Sequence, residues 1–347
     1  MKFKKLSALV LAGALTFSLA ACSSGGTTTT PAPKDSTTPA TTPATTPAEP
    51  AAAKKVGICI YKFDDNFMTL YRNELETILK GKGYEVSIVD GNNDQVKQTE
   101  QINTFISQGV DALIVNPVMT TAAAPMIELV KGAGIPTVII NREPTAEDMS
   151  IWDKVSYVGA DASQSGTFQG EIILETPNKG DINGDGKVSY IMVQGDPENI
   201  DAKLRTEYSV KALVDAGVEV EELDLQRGDW DQNRGQEITA NDLSKFGDKV
   251  EVVFCNNDAM ALGALEAVKA AGRTVGEDIY VVGVDALADA VSKVASGEMT
   301  GTVLNDATGQ ATKAVEVMEE LLAGNSVPSQ NYVDYVKVTL DNVADYQ

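Results

Sequence analysis

Short runs rich in β-branched residues alternate with stretches of helical period along almost the whole body of the chain, and few folds tolerate that alternation. The apolar runs fall at residues 56–60, 86–89, 112–115, 137–140, 189–193, 218–223, 250–254, 279–282 and 302–304. Near-continuous hydrophobicity of this kind marks parallel strands buried on both faces. Between the runs, Phe67, Tyr71, Leu75, Ile78 and Leu79 recur at helical spacing, as do Ile102, Phe105 and Ile106, and Leu262, Leu265 and Val268. These stripes predict helices packed on a sheet, so the fold class is α/β, with parallel sheets flanked by helices. The stretch from about residue 54 to residue 347 is too long for one ordinary core and predicts two lobes.

Composition removes several function classes. The formal net charge is −22, and no cluster of Lys and Arg interrupts it, which excludes nucleic acid as a partner. Acidity of this order serves solubility. Histidine is absent, so Ser-His-Asp and Cys-His nucleophile systems and histidine metal sites are excluded as well. The stretch from Gly180 to Gly186-Lys187 is not a phosphate loop: it has one residue too many, and Val188 stands where Ser or Thr is required.

The N-terminus has its own logic. Lys2, Lys4 and Lys5, an apolar segment over residues 8–15 and the sequence Leu19-Ala20-Ala21-Cys22 predict an export signal over residues 1–21. Its end resembles the lipobox of bacterial lipoproteins, which implies acylation of Cys22 and anchoring at the outer face of the cell membrane. A spanning helix needs about 20 apolar residues, and the uninterrupted stretch here is shorter. Residues 22–54, mostly Thr, Pro, Ala, Ser and Gly, cannot bury enough apolar surface to fold and predict an extended tether. Cys59 and Cys255 lie inside apolar runs and predict buried free thiols, since a chain of this size builds its core without crosslinks.

Polar clusters follow the predicted strands at residues 62–66, 116–117, 196–201, 256–258, 285 and 305–306. In open parallel sheets ligands bind at that carboxyl edge, and two lobes facing each other would gather these loops around one cleft. Here the residues become recognisable. Ile60-Tyr61-Lys62-Phe63-Asp64-Asp65-Asn66-Phe67 strongly resembles the opening of the bacterial periplasmic galactose/glucose-binding proteins. The similarity continues in order through Asn256-Asn257-Asp258-Ala259-Met260-Ala261, Gly283-Val284-Asp285-Ala286-Leu287 and Gly301-Thr302-Val303-Leu304-Asn305-Asp306. The resemblance implies the type I periplasmic binding protein fold, with two similar hinge-linked lobes. It places residues 55–138 and 306–326 in one lobe, and residues 139–305 and 327–347 in the other. It also implies a non-enzymatic, monomeric binding protein that closes on a monosaccharide, galactose or glucose, and delivers it to the membrane permease of an ABC importer. Whether a chemoreceptor also reads the closed form stays open.

Carried over residue by residue, the resemblance assigns sugar contacts to Asp65, Phe67, Asn116, Asp201, Arg205, Trp230, Asn257, Asp285 and Asn305. The chemistry agrees. Pyranose hydroxyls both donate and accept, so a site wants carboxylates, amides and a guanidinium in fixed orientations. The sugar's C–H faces want aromatic plates, for which Phe67 and Trp230 are the candidates. Each residue also has a blander use taken singly: Asp65 as a helix cap, Trp230 as a loop anchor, Asp285 and Asn305 as turn residues, Arg205 as a solvated charge. Their joint order argues for the site. One position departs: where the family has a histidine, this chain has Asn199, shorter and without a titration near neutrality. Asn199 is expected to face the cleft at one edge of the sugar, and a pentose such as xylose or a differently oriented hexose stays open.

Residues 181–189, Asp-Ile-Asn-Gly-Asp-Gly-Lys-Val-Ser, begin like an EF-hand loop, with oxygen ligands at positions one, three and five and glycine at six. Position twelve is Met192 rather than glutamate. The resemblance implies that Glu251, on a distant strand, completes a structural Ca2+ site with Asp181, Asn183, Asp185 and the Lys187 carbonyl. Ser189 stands where the family has glutamine. The competing reading is a polar turn that needs no ion.

Two other functions use the same features. A cell-surface glycoside hydrolase would need paired carboxylates, one with a raised pKa. The aspartates here are interleaved with amides and Arg205, a mixture suited to recognition. A sugar-responsive transcription regulator would need a helix-turn-helix where the signal and tether stand.

Overall fold

The structure, a computed structural model, describes residues 52–347. The predicted export signal, the Cys22 expected to carry acyl chains and all but the last residues of the tether lie outside the described residues.

The first lobe is laid down as β1 (Lys55–Ile60), α1 (Asn66–Gly81), β2 (Glu85–Asp90), α2 (Gln95–Gln108) and β3 (Ala112–Val115), then α3 (Ala123–Ala133), β4 (Thr137–Ile140), α4 (Ala146–Met149) and β5 (Val155–Gly159). The chain next builds the second lobe from α5 (Ala162–Leu174), β6 (Lys187–Gln194), α6 (Ile200–Asp215), β7 (Glu219–Arg227), α7 (Gln232–Phe246) and β8 (Val252–Cys255). That lobe continues through α8 (Asp258–Ala270), β9 (Tyr280–Val282), α9 (Ala288–Ala295) and β10 (Thr302–Leu304). Last come α10 (Ala307–Leu322), β11 (Gln330–Tyr332) and β12 (Val336–Val338).

Six strands form the first sheet in the order β11-β5-β4-β3-β1-β2, all parallel, and β7-β6-β8-β9 form the second, also parallel. Bridges Val282↔Gly301 and Asp285↔Leu304 attach β10 to the second sheet, and β12 pairs with β10 antiparallel. Tyr71, Leu75 and Leu79 of α1 are buried against β1 and α10, and Leu265 and Val268 of α8 against β8 and β9, as the helical stripes predict. Both thiols are free and buried, Cys59 in β1 and Cys255 in β8, and burial raises the Cys59 thiol to about 12.

The expected lobe boundaries shift. Residues 139–159 were expected in the second lobe, but β4 and β5 continue the first sheet through direct pairing with β3 and with each other. Their edge amides find partners there and nowhere else. The first crossing therefore falls between Gly159 and Ala162, the second between Leu304 and Ala307. The third falls after Tyr332, because β11 pairs with β5 before β12 joins β10. Residues 327–332 thus belong to the first sheet. Burial on both faces also fails for β2 and β7, each an edge strand of its sheet, whose residues are largely half-buried or exposed.

Candidate functional site

The carboxyl ends of both sheets meet across one narrow cleft, whose free cavity is about 30 Å3. Nine of the ten expected sugar contacts line it: Asp65 and Phe67 from the first lobe, and Asn199, Asp201, Arg205, Trp230, Asn257, Asp285 and Asn305 from the second lobe and the second crossing. Asn199 faces the cleft, as expected.

Asn116 does not line it. Fully buried behind the wall, it receives the Tyr61 amide on its Oδ1 at 3.3 Å and donates through Nδ2 to the Ile140 carbonyl and Asn141 Oδ1, both at 3.2 Å. It braces β1, β3 and β4 and orients Asn141, because both ends of its amide are taken by neighbours in the wall.

Tyr61, Met68, Asn141 and Arg142 line the cleft and were missed from sequence. A signal existed for three of them: Tyr61 directly follows β1, and Asn141-Arg142 directly follow β4, the positions that singled out the other polar clusters. Arg142 lies over the Tyr61 ring, 4.0 Å from its centroid, and reaches 3.9 Å toward Asp196 of the second lobe. Its Nη1 donates to the Val118 carbonyl, and its buried Nε has no protein partner.

Local structure aims most of these groups. Asp65 caps α1, accepting the Met68 amide on Oδ1 at 2.7 Å, while its Oδ2 accepts the Tyr61 hydroxyl at 2.5 Å. Cap and site residue are one. Asn199 caps α6 and Asn257 caps α8 in the same way, and the Asn257 Nδ2 donates to the Trp230 carbonyl at 3.4 Å. Asn305 donates to Asp285 at 3.3 Å and accepts from Gln310 Nε2 at 2.5 Å, so its orientation is set from both sides. Asn141, Trp230 and Asp285 all have positive φ (62°, 65° and 128°), and Asp229 and Ala286 do too. Left-handed backbone at non-glycine residues is costly and concentrates at functional sites. The indole of Trp230 lies over Gly195, where a Cβ would overlap the ring, and Phe67 is held edge-on by Tyr71 at 5.9 Å between centroids.

Burial dominates the electrostatics. It raises the Asp201 carboxyl to about 6 even though the Arg205 guanidinium 3.6 Å away pulls the other way. Asp285 is raised well above the usual carboxylate range for the same reason. Asp258, behind the cleft, is raised to about 6 by burial and opposed by hydrogen bonds from Thr302 and Leu287. The result is a rim of amides, carboxylates and guanidinium groups around a slot bearing three aromatic rings, those of Tyr61, Phe67 and Trp230. Such a rim can hydrogen-bond a neutral, hydroxyl-rich ring from every side.

The expected metal loop is partly assembled. Glu251, buried in front of β8, reaches it: Oε1 accepts the Ile182 and Asn183 amides at 2.7 and 2.9 Å, and Oε2 the Ser189 amide at 2.8 Å. Asp181 accepts from Gly184 and Gly186, Asn183 from Asp185, and Asp185 from Lys187. The side-chain oxygens therefore serve the loop's own amides, and among the described residues no three acidic side chains converge closely enough to hold an ion. The donor chemistry is nonetheless the all-oxygen kind that Ca2+ takes.

A family model described as a periplasmic binding protein domain matches residues 56–326. The chain belongs to this family. As a periplasmic binding protein it is 35% identical over 310 residues to the D-galactose/methyl-galactoside binding periplasmic protein MglB of Haemophilus influenzae, covering 85% of this chain and 92% of that one. It is 36% identical over 299 residues to a putative rhizopine-binding protein of Rhizobium meliloti, covering 86% and 94%. A solved ABC transporter solute-binding protein of Bacillus halodurans with bound myo-inositol shares 31% identity and a TM-score of 0.74, covering 84% and 96%. In this periplasmic binding protein the cleft therefore lies between the two lobes of a fold shared with proteins named for sugar and polyol ligands.

Proposed function

We propose that the protein captures one monosaccharide, galactose, glucose or a pentose such as xylose, in the inter-lobe cleft and delivers it to the permease of an ABC importer. The convergence of nine expected contacts from both lobes in a single cleft carries this reading. The sugar lies between Phe67 and Trp230, and closure is favoured because only the closed arrangement completes contacts from both lobes. The chain acts as a monomer outside the cytoplasm, held at the membrane by acyl chains on Cys22, and catalyses no reaction.

Calorimetric titration with galactose, glucose, xylose, arabinose and myo-inositol tests the reading. One-to-one binding of at least one sugar, with no product released on incubation with glycosides, is the expected result. Silence for all five would end it. The loop at residues 181–189 with Glu251 is proposed to take Ca2+ as a structural ion, with Lys187 supplying its carbonyl and Ser189 standing beside it. Chelation is then expected to lower the melting temperature by several degrees and re-addition of Ca2+ to restore it, whereas an unchanged melt would remove the ion.

A further inference from the structure

Arg205 is restrained from behind the cleft rather than from within it. Nη1 donates to the Asn256 carbonyl at 2.8 Å and Nη2 to the Tyr335 hydroxyl at 3.0 Å, closer than its charged neighbour Asp201 at 3.6 Å. Arg205 is 3% exposed, and its buried Nε has no protein partner. Tyr335 is not part of the cleft wall. It is 4% exposed and packs in the second lobe's core with Tyr190, Phe254 and Val303. Its own amide donates to Gln164 of α5 at 2.7 Å. In sequence it lies between β11 of the first sheet and β12 of the second, on the third crossing between the lobes.

A guanidinium beside buried carboxylates is drawn to pair with them, because charge attraction in a dry site exceeds a bond to a neutral acceptor. Swinging fully onto Asp201 would spend its donors on the protein. The Tyr335 oxygen, fixed by the core around its ring, supplies a neutral acceptor on the far side and holds the planar fork short of that pairing. Burial raises the Tyr335 hydroxyl to about 12, so it stays neutral in this role.

We propose that Tyr335 is a positioning residue for ligand binding: it holds the Arg205 guanidinium in the orientation that leaves Nε for a ligand oxygen, and so links the third inter-lobe crossing to affinity. The proposal rests on the sugar-binding reading above. Nothing in the sequence marks Tyr335, since its partner lies 130 residues away.

The test is Tyr335→Phe, which removes one oxygen and keeps the ring. Titration with the tightest sugar of the panel is expected to show affinity about tenfold weaker, the scale of one lost hydrogen bond to a charged group. A series of monodeoxy analogues supplies the discriminating readout. The penalty is expected to vanish for the one analogue lacking the oxygen that Arg205 contacts. An equal penalty for every analogue, or none for any, overturns the proposal. In the ligand-free wild type, 15N spectra are expected to show two resolved Arg205 Nη signals from a guanidinium that does not rotate freely. Averaged signals overturn the proposal even if the variant does not fold. Should the wild type bind no sugar, the binding reading falls, and comparison of these spectra with those of Tyr335→Phe, in which the signals are expected to average, still decides whether Tyr335 pins Arg205.

Discussion

Asp201 shows how a single carboxyl in this cleft ties affinity to pH. Burial raises it to about 6, so its ionised form is disfavoured until a ligand donates to it. For the ligand-free fold the sign follows directly. A raised carboxyl pKa contributes stability that is fully present below its ordinary value and is lost as pH rises through about 6. Binding runs the other way, because sugar hydroxyls donating to the carboxylate pull its pKa back down. Affinity is therefore expected to be about tenfold weaker at pH 5 than at pH 7.5, measured by calorimetry at both, and a flat profile would remove Asp201 from the ligand's contacts. Gly195 offers a second residue-level check. A Cβ there would overlap the Trp230 indole, so Gly195→Ala is expected to push the ring from its place, shift tryptophan emission and cost about tenfold or more in affinity. Unchanged emission and affinity would show that the indole does not depend on that close approach. The role of Asp65 was half legible, since its side chain reads as a cap or as a ligand group; Asn199 and Asn257 read only as ligand groups, yet all three cap helices at the cleft. Asn116 misled because it follows a strand as the others do. Partners from β4 and the residues that follow β1 and β4 take up its amide, so that it braces the wall instead.

At the level of elements, glycines set the closest helix approaches. On the crossing of α7 and α8, a Cβ on Gly263 would overlap the Gln232 carbonyl, and one on Gly235 the Met260 backbone. Gly263→Ala is expected to destabilise the fold by about 1–3 kcal/mol, since helix backbones cannot yield as a side-chain tip can, and chemical denaturation would measure it. A neutral result would mean that the crossing is looser than this packing. Strand detection followed unbroken apolar runs, which found even the half-exposed β2 and β7 and missed strands whose runs are broken or polar. The apolar stretches at β1, β3, β4, β6 and β8 announce themselves. Val155–Gly159 was overlooked because Ser156 and Gly159 break its apolar run, yet β5 is fully buried. The short polar β11 and β12 hold their places by pairing with β5 and β10 rather than by their own composition.

Across the whole molecule, three crossings at residues 160–161, 305–306 and 333–335 join lobes whose cores are built separately, with β1, α1 and α10 in one and β6, β8 and α8 in the other. A ligand contacting both lobes stabilises only the folded, closed molecule. At a sugar concentration 100 times Kd, calorimetry is expected to show about 2.7 kcal/mol of added stability. If just one of two separate transitions moved, the ligand would be engaging one lobe alone. Local properties of the chain were enough to establish the α/β class, the main helices and strands, the free thiols of Cys59 and Cys255 and most of the cleft-lining side chains. Hydrophobic period and residue chemistry act within a few positions of each other, and the ordered motifs supplied the rest. Strand order, the true crossings, the retreat of Asn116 and the grip of Tyr335 on Arg205 were decided only in three dimensions. Each depends on which backbone edges and polar atoms find partners far away in the chain, and a buried donor takes the nearest acceptor in space whatever its distance in sequence.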